Sequence, residues 1–188
     1  SDVYKRQRLR SSILIQWDDY SYIVDTGPDF RQQMLKVGCN RIDGVLYTHE
    51  HSDHTSGIDD LRAFCFKQGE IPIYAHQRVI DNLFNRFEYI FNKEKKYEGG
   101  PTLRPIKVEE NLNFNIYNLT VIPISYQHAK LQVYGYRLNN FAYLTDLKTI
   151  EKSEIKKLEN LEVLVLNCIR IEPHYSCLLY TSDAADEI

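Results

Sequence analysis

The run His49-Glu50-His51-Ser52-Asp53-His54 constrains this chain more than any other feature, because half of the six histidines in the sequence fall inside it. The apolar segment Gly44–Tyr47 leads straight into it and reads as a buried strand. Behind it, Gly57–Gln68 carries Ile58, Leu61, Phe64 and Cys65 at helical spacing. The histidines therefore belong to a strand-end loop, where reactive groups are held on rigid scaffolding yet stay reachable. Two imidazoles one residue apart can converge on one metal ion, and the adjacent Asp53 and His54 can offer an oxygen and a nitrogen to a second. Such ligands suit Zn, Mn or Fe. A pair of ions about 3.5–4 Å apart would activate a shared water and clamp attacking and leaving oxygens. A polar solvent loop has no need of this concentration of imidazole.

Composition narrows the setting. A chain of 188 residues fits one domain and can bury a real core. With 43% hydrophobic and 26% charged residues it reads as a globular protein. No apolar run approaches the roughly 18–20 residues of a membrane span. The polar, basic start lacks the apolar centre of a signal peptide, so a cytoplasmic location without membrane attachment is expected. The formal net charge is −3, and Lys93-Glu94-Lys95-Lys96 is the main basic cluster, which argues against a nucleic-acid partner. Cys39, Cys65, Cys168 and Cys177 form no C-x-x-C pair and read as free thiols.

The two ends stand apart from the rest. Asp2–Gln7 and Cys177–Ser182 can be encoded by one oligonucleotide read in opposite orientations, which resembles a transposon-type sequencing adapter. Residues 1–7 and 177–188 are accordingly expected to be translated adapter, leaving residues 8–176 as an incomplete domain.

Within that span strands and helices alternate. Ser12–Trp17 and Tyr20–Asp25 read as a hairpin around Asp18-Asp19. Phe30–Val37 reads as a helix closed by Gly38. Ile71–Ala75 is an expected strand and Gln77–Phe91 an expected helix, opened by His76, which reads as structural. Leu112–Tyr117, Thr120–Ser125, Gln132–Leu138 and Phe141–Thr145 read as strands, the last two joined at Asn139-Asn140. Ile150–Leu158 reads as a helix, and the apolar Leu161–Cys168 as a central strand. The pattern predicts a layered α/β domain.

The sequence His49-Glu50-His51-Ser52-Asp53-His54 resembles the H-x-H-x-D-H signature of the metallo-β-lactamase superfamily, and the resemblance covers residues 8–176. It implies an α/β fold, a four-layer αββα sandwich, here truncated at both ends. It also implies that His49 and His51 bind a first metal, and that Asp53 and His54 bind a second, with two divalent ions, Zn or Mn, as cofactors. His128 resembles the third histidine of the first metal. Asp146, ending Tyr143-Leu144-Thr145-Asp146, resembles the bridging carboxylate. Asp25, in Ile23-Val24-Asp25-Thr26-Gly27, resembles the aspartate that orients the ligands from behind. The family's last metal-binding histidine has no counterpart and is expected beyond the C-terminus. His174 lies too early for that role. It resembles a histidine that acts near the leaving group in one branch, and a loop histidine is the other reading. Glu50 has no assigned role.

Asp25–Arg31, Gly135-Tyr136-Arg137 and Tyr143–Asp146 look most like the phosphodiesterase branch, which includes the phosphoribosyl 1,2-cyclic phosphate phosphodiesterase. That resemblance implies a metal-dependent hydrolase of a small cyclic or nucleotide-like phosphodiester, with attack by a hydroxide held between the metals through Asp53 and Asp146. Transfer-RNA 3′-processing nucleases are a rival, but they need a basic docking surface that this acidic chain lacks. A non-hydrolytic accessory protein of cofactor synthesis is the other. A homodimer is compatible with the family. The chain by itself is expected to bind metal partially and to be inactive or weakly active.

Overall fold

The computed structural model describes residues 9–92, 94–95 and 97–167. The chain divides into two compact units, residues 1–107 and 108–188.

The first unit is built on a five-stranded sheet in the order β1-β2-β3-β4-β5. Strands β1 (Ile13–Trp17) and β2 (Tyr20–Val24) form an antiparallel hairpin, as expected, with Asp18 in the left-handed region at its turn. Strands β3 (Gly44–Leu46), β4 (Ile71–Ala75) and β5 (Leu103–Lys107) continue the sheet in parallel. The two central strands β2 and β3 are almost wholly buried, as parallel strands covered on both faces must be. Strand β5, which the sequence did not suggest, carries Pro105 in its middle. It sits at the end of the sheet order, a position where a missing N–H is tolerated.

Helices cover this sheet. Helix α1 (Phe30–Val37) ends at Gly38 (φ 65°), as the sequence predicts, and buries Phe30 and Met34. The expected helix over Gly57–Gln68 is divided. A four-residue turn α2 (Ser52–Thr55) precedes it, Ile58–Leu61 winds as a tighter 3₁₀ turn, and α3 (Arg62–Gln68) follows. The expected helix over Gln77–Phe91 breaks at Phe87 (φ −121°, ψ 46°) into α4 (Gln77–Arg86) and α5 (Glu88–Phe91). Ile23, Val45 and Ile73 from the sheet pack with Phe30, Leu61, Phe64, Val79 and Leu83 in one core.

The second unit carries a second five-stranded sheet, in the order β10-β9-β8-β7-β6. Strands β6 (Phe114–Ile116), β7 (Leu119–His128), β8 (Leu131–Leu138) and β9 (Phe141–Leu144) are antiparallel neighbours. Strand β7 runs three residues beyond the expected Ser125, because its pairing with β8 continues to His128 opposite Leu131. Strand β10 (Val163–Leu166) pairs in parallel with β9. Its apolar run suggests a central place, yet among the described residues it has a strand on one side only, and Val163 and Val165 are exposed. The expected Ile150–Leu158 helix shortens to α6 (Lys152–Ile155) and a 3₁₀ turn at Lys156–Leu158. Ile124, Tyr126, Val133, Ala142, Leu144 and Leu158 form the core of this unit.

The fold is therefore mixed α/β with two sheets, the expected class. Among the described residues no helix is long and apolar enough to cross a membrane.

Candidate metal centre

The histidine cluster occupies the loop after β3 and the short turn α2. Two backbone devices fix that loop. Tyr47 N–H donates to the Tyr74 carbonyl (2.8 Å), which extends the β3–β4 pairing to the edge of the cluster. The stretch after β2 then wraps around α2: Thr26 N–H donates to the His54 carbonyl (2.8 Å), and Gly57 N–H donates to the Thr26 carbonyl (2.8 Å). This approach is close enough to demand glycine on both sides. A Cβ on Gly27 would stand 2.3 Å from the Asp53 carbonyl oxygen, and one on Gly57 would stand 2.2 Å from the Gly27 carbonyl oxygen. Both obstacles are backbone, so neither can swing aside.

Asp25 is the hub of the buried side chains. It follows β2 in the left-handed region (φ 62°), a conformation that aspartate tolerates better than most residues, and it is fully buried. Its Oδ1 accepts from Thr48 N–H (2.8 Å) and its Oδ2 from the Thr48 hydroxyl (2.7 Å). The same Oδ2 lies 2.7 Å from His54 Nδ1. A carboxylate on one ring nitrogen orients the imidazole and leaves Nε2 as the outward donor. That Nε2 stands 3.6 Å from Asp53 Oδ2, whose side chain is largely exposed.

His49 is fully buried; its Nδ1 lies 3.0 Å from the Thr48 hydroxyl. Its Nε2 faces His51 Nδ1 at 3.0 Å, and the two rings meet edge-on. Two ring nitrogens at that separation share one proton, and a cation can take the place of that proton. His49 and His54 also bring ring nitrogens within 4.8 Å of each other. Imidazole nitrogens and carboxylate oxygens gathered this way fit a borderline divalent cation such as Zn. The first unit thus brings together His49, His51, Asp53, His54 and Asp25.

Behind the cluster, the Tyr47 and Thr26 hydroxyls are 2.6 Å apart and buried. Burial pushes the Tyr47 phenol well above its ordinary pKa, so it stays neutral and able to donate. Tyr47→Phe should lower the unfolding free energy by about 1 kcal/mol in a urea melt, the net worth of one such bond. An unchanged midpoint would mean that the pair contributes nothing.

The other expected residues lie in the second unit. His128 ends β7 and pairs with Leu131 across the turn Ala129-Lys130. Asp146 follows β9 in the left-handed region (φ 57°), the same conformation that Asp25 adopts after β2. Just before it, Thr145 N–H donates to the Tyr126 hydroxyl (3.0 Å), which in turn donates to the Thr145 carbonyl (2.7 Å) and ties the end of β9 to β7. His174 lies outside the described residues. His76 caps α4, its Nδ1 accepting from Arg78 N–H (3.3 Å), in keeping with a structural role.

Sequence reasoning gave Glu50 no role and passed over three residues that touch the cluster. Thr48 links Asp25 to His49. Arg78 forms a two-pronged ion pair with Glu50, Nε to Oε1 at 2.9 Å and a terminal nitrogen to Oε2 at 3.1 Å. Arg86 donates to the Glu50 carbonyl. Both arginines lie far from Glu50 in the sequence, so no local pattern marked them.

A loop of imidazoles and carboxylates backed by a buried aspartate at a strand end defines a class of metal-binding α/β protein. The chain belongs to the beta-lactamase superfamily domain family, whose model matches residues 20–184. Members of that superfamily are metal-dependent hydrolases. The chain is similar to an octanoyltransferase of Porphyromonas gingivalis, 38% identical over 183 residues, which make up 97% of this chain and 37% of that protein. It is also similar to a diphosphatase of the PhnP family, with TM-score 0.81 and 32% identity, covering 90% of this chain and 65% of that one. The fold recurs in Zn(2+)-bound PqqB from Methylobacterium extorquens, with TM-score 0.66 and 17% identity, covering 86% of this chain and 61% of that one. The chain thus spans just over a third of the first of these relatives and somewhat under two thirds of the other two.

Proposed function

We propose that this chain holds the metal site of a two-metal hydrolase acting on a small cyclic or nucleotide-like phosphodiester. The observation that carries the reading is the convergence of His49, His51 and His54 beside Asp53, with Asp25 fixing the His54 ring from behind. The 32% identity to a PhnP-family diphosphatase supports phosphorus chemistry in preference to acyl transfer. The octanoyltransferase name describes a protein of which this chain spans 37%.

In this reading His49, His51 and His128 would hold the first ion, Asp53 and His54 would hold the second, and Asp146 would complete the set. Zn or Mn would suit these donors. When bound, the ions supply Lewis acidity toward the phosphoryl oxygens and make a shared water acidic enough to attack near neutral pH. Asp25 keeps His54 in one tautomer and orientation, and Thr48 does the same for His49 through its Nδ1. Asp53, mostly exposed beside the buried His54, would accept the proton of an attacking water. His174 is the candidate for protonating the leaving oxygen. The partner is then a small-molecule substrate, and a homodimer is the proposed assembly.

The test is hydrolysis of bis(p-nitrophenyl) phosphate by the gene product carrying this sequence, loaded with Zn or Mn. Turnover that disappears on chelation and in His49→Ala supports the reading. A metal-loaded, folded protein that leaves this diester intact and instead cleaves transfer-RNA precursors, or cleaves nothing, overturns it.

A further inference from the structure

We propose that α4 acts as a clamp on the metal loop, with Arg86 and Arg78 as positioning residues that set how tightly the loop holds its ions; this rests on the metal-site reading above. The turn α2, which carries Asp53 and His54, is four residues long. A helix that short does not sustain itself, because nucleation is unfavourable and few intrahelical bonds form. Something outside must hold it, and α4 is anchored well enough to do so, with Val79, Ile80 and Leu83 buried in the core.

Arg86 reaches both ends of the turn. One terminal nitrogen donates to the Glu50 carbonyl (2.8 Å) and to the Thr55 hydroxyl (2.9 Å), and the other donates to the Ser52 hydroxyl (3.3 Å). The Thr55 hydroxyl passes the contact on by donating to the His51 carbonyl (2.9 Å), which also accepts from His54 N–H (3.0 Å). Glu50, between His49 and His51, is gripped a second time through its carboxylate by Arg78. Every acceptor of Arg86 is uncharged, so its contribution is geometric and not charge neutralisation. A planar guanidinium can span these acceptors at once, whereas an ammonium is a single point. Ligands held in place before the ion arrives lose less freedom on binding, so the clamp should appear in metal affinity.

The experiment compares Zn affinity, by competition with a chromophoric chelator, in the wild type, Arg86→Ala, Arg86→Lys and Thr55→Val. Amide exchange of residues 49–56 is measured on the same metal-free proteins. Arg86→Ala is expected to weaken Zn binding by about tenfold, the lower end of what losing a direct partner of a metal ligand costs, because Arg86 acts one contact further out. It should also speed exchange across 49–56 while the melting temperature of the metal-free protein moves by only a few degrees. Arg86→Lys should recover part of the loss. Thr55→Val, close in shape, tests the relay to His51 independently should Arg86→Ala fold poorly. Zn affinity within twofold of wild type in both Arg86→Ala and Thr55→Val overturns the clamp and leaves the metal site standing. A wild type that binds no Zn or Mn overturns the metal site and the clamp together.

Discussion

Asp25→Ala is expected to lower the unfolding free energy by about 4 kcal/mol, roughly 10 °C in melting temperature, and to weaken metal binding at least tenfold. The carboxylate is fully buried, and it satisfies the Thr48 N–H, the Thr48 hydroxyl and His54 Nδ1. Alanine leaves all of these groups without an acceptor in a place water does not reach, at about 1–3 kcal/mol for each orphan. It must also adopt φ near 62°, where a Cβ without a polar side chain costs about another 1 kcal/mol. Asp25→Asn separates the components. Its amide oxygen can still accept from Thr48 N–H, and asparagine tolerates the left-handed backbone, so most of the stability should return. The contact to His54 changes character, so the metal affinity should not. Calorimetry with and without Zn reads both quantities. Equal loss of metal binding in Asp25→Ala and Asp25→Asn, with stability restored in the latter, is the expected pattern. Normal Zn affinity in both variants would mean that Asp25 is a purely structural turn residue.

Asp25 also illustrates what the sequence could reveal. Local chemistry was legible wherever a residue's role depends on its near neighbours. The β1–β2 hairpin follows from alternating apolar residues around Asp18-Asp19, and α1 from periodicity ended by Gly38. The concentration of histidine at 49–54 marked the loop before any contact was known. What remained hidden depends on pairing across long stretches of chain. The apolar run Val163–Leu166 specifies a strand but not its neighbours, so its lateral place in the sheet could not be read. Strand β5 also stayed hidden, since its residues Leu103–Lys107 mix charged and apolar side chains around Pro105 and its partner β4 lies about thirty residues earlier. The spacing of Val79 and Leu83 gave the buried face of α4, while the opposite face offered no hint that Arg78 would meet Glu50, 28 residues earlier.

The glycines show the same division. Gly27 reads as an ordinary turn residue and Gly57 as the start of a helix. Their requirement is a long-range one: the backbone after β2 passes so close to α2 that no Cβ fits between them. That packing joins Asp25, Thr26 and His54 into one interlocked piece, in which the strand end holding Asp25 and the turn holding His54 cannot shift separately. A loop rich in charged and polar groups can be rigid only when its backbone groups are satisfied in this way.

In the gene product carrying this sequence, if it holds the proposed pair of ions, Asp146→Ala is expected to reduce bound metal from about two ions to about one or less, and to lower phosphodiester hydrolysis by about 10²–10³-fold. Two divalent cations held close together would repel strongly, and a carboxylate among their ligands would offset that repulsion. Under the proposed ligand set, removing it would leave imidazoles, which carry no negative charge, and Asp53 alone to balance the pair. Asp146 holds φ 57° after β9, so alanine adds backbone strain to the loss of charge. Asp146→Asn is the sharper variant, because asparagine accepts that backbone and keeps an oxygen in place while losing the charge. Elemental analysis of the wild type and both variants gives the answer directly. Metal content that falls in Asp146→Asn as well as in Asp146→Ala, with melting temperature of the metal-free protein preserved in the former, assigns the effect to charge. Two ions retained in both variants would remove Asp146 from the ligand set and leave the histidine loop of the first unit to hold its metal without it.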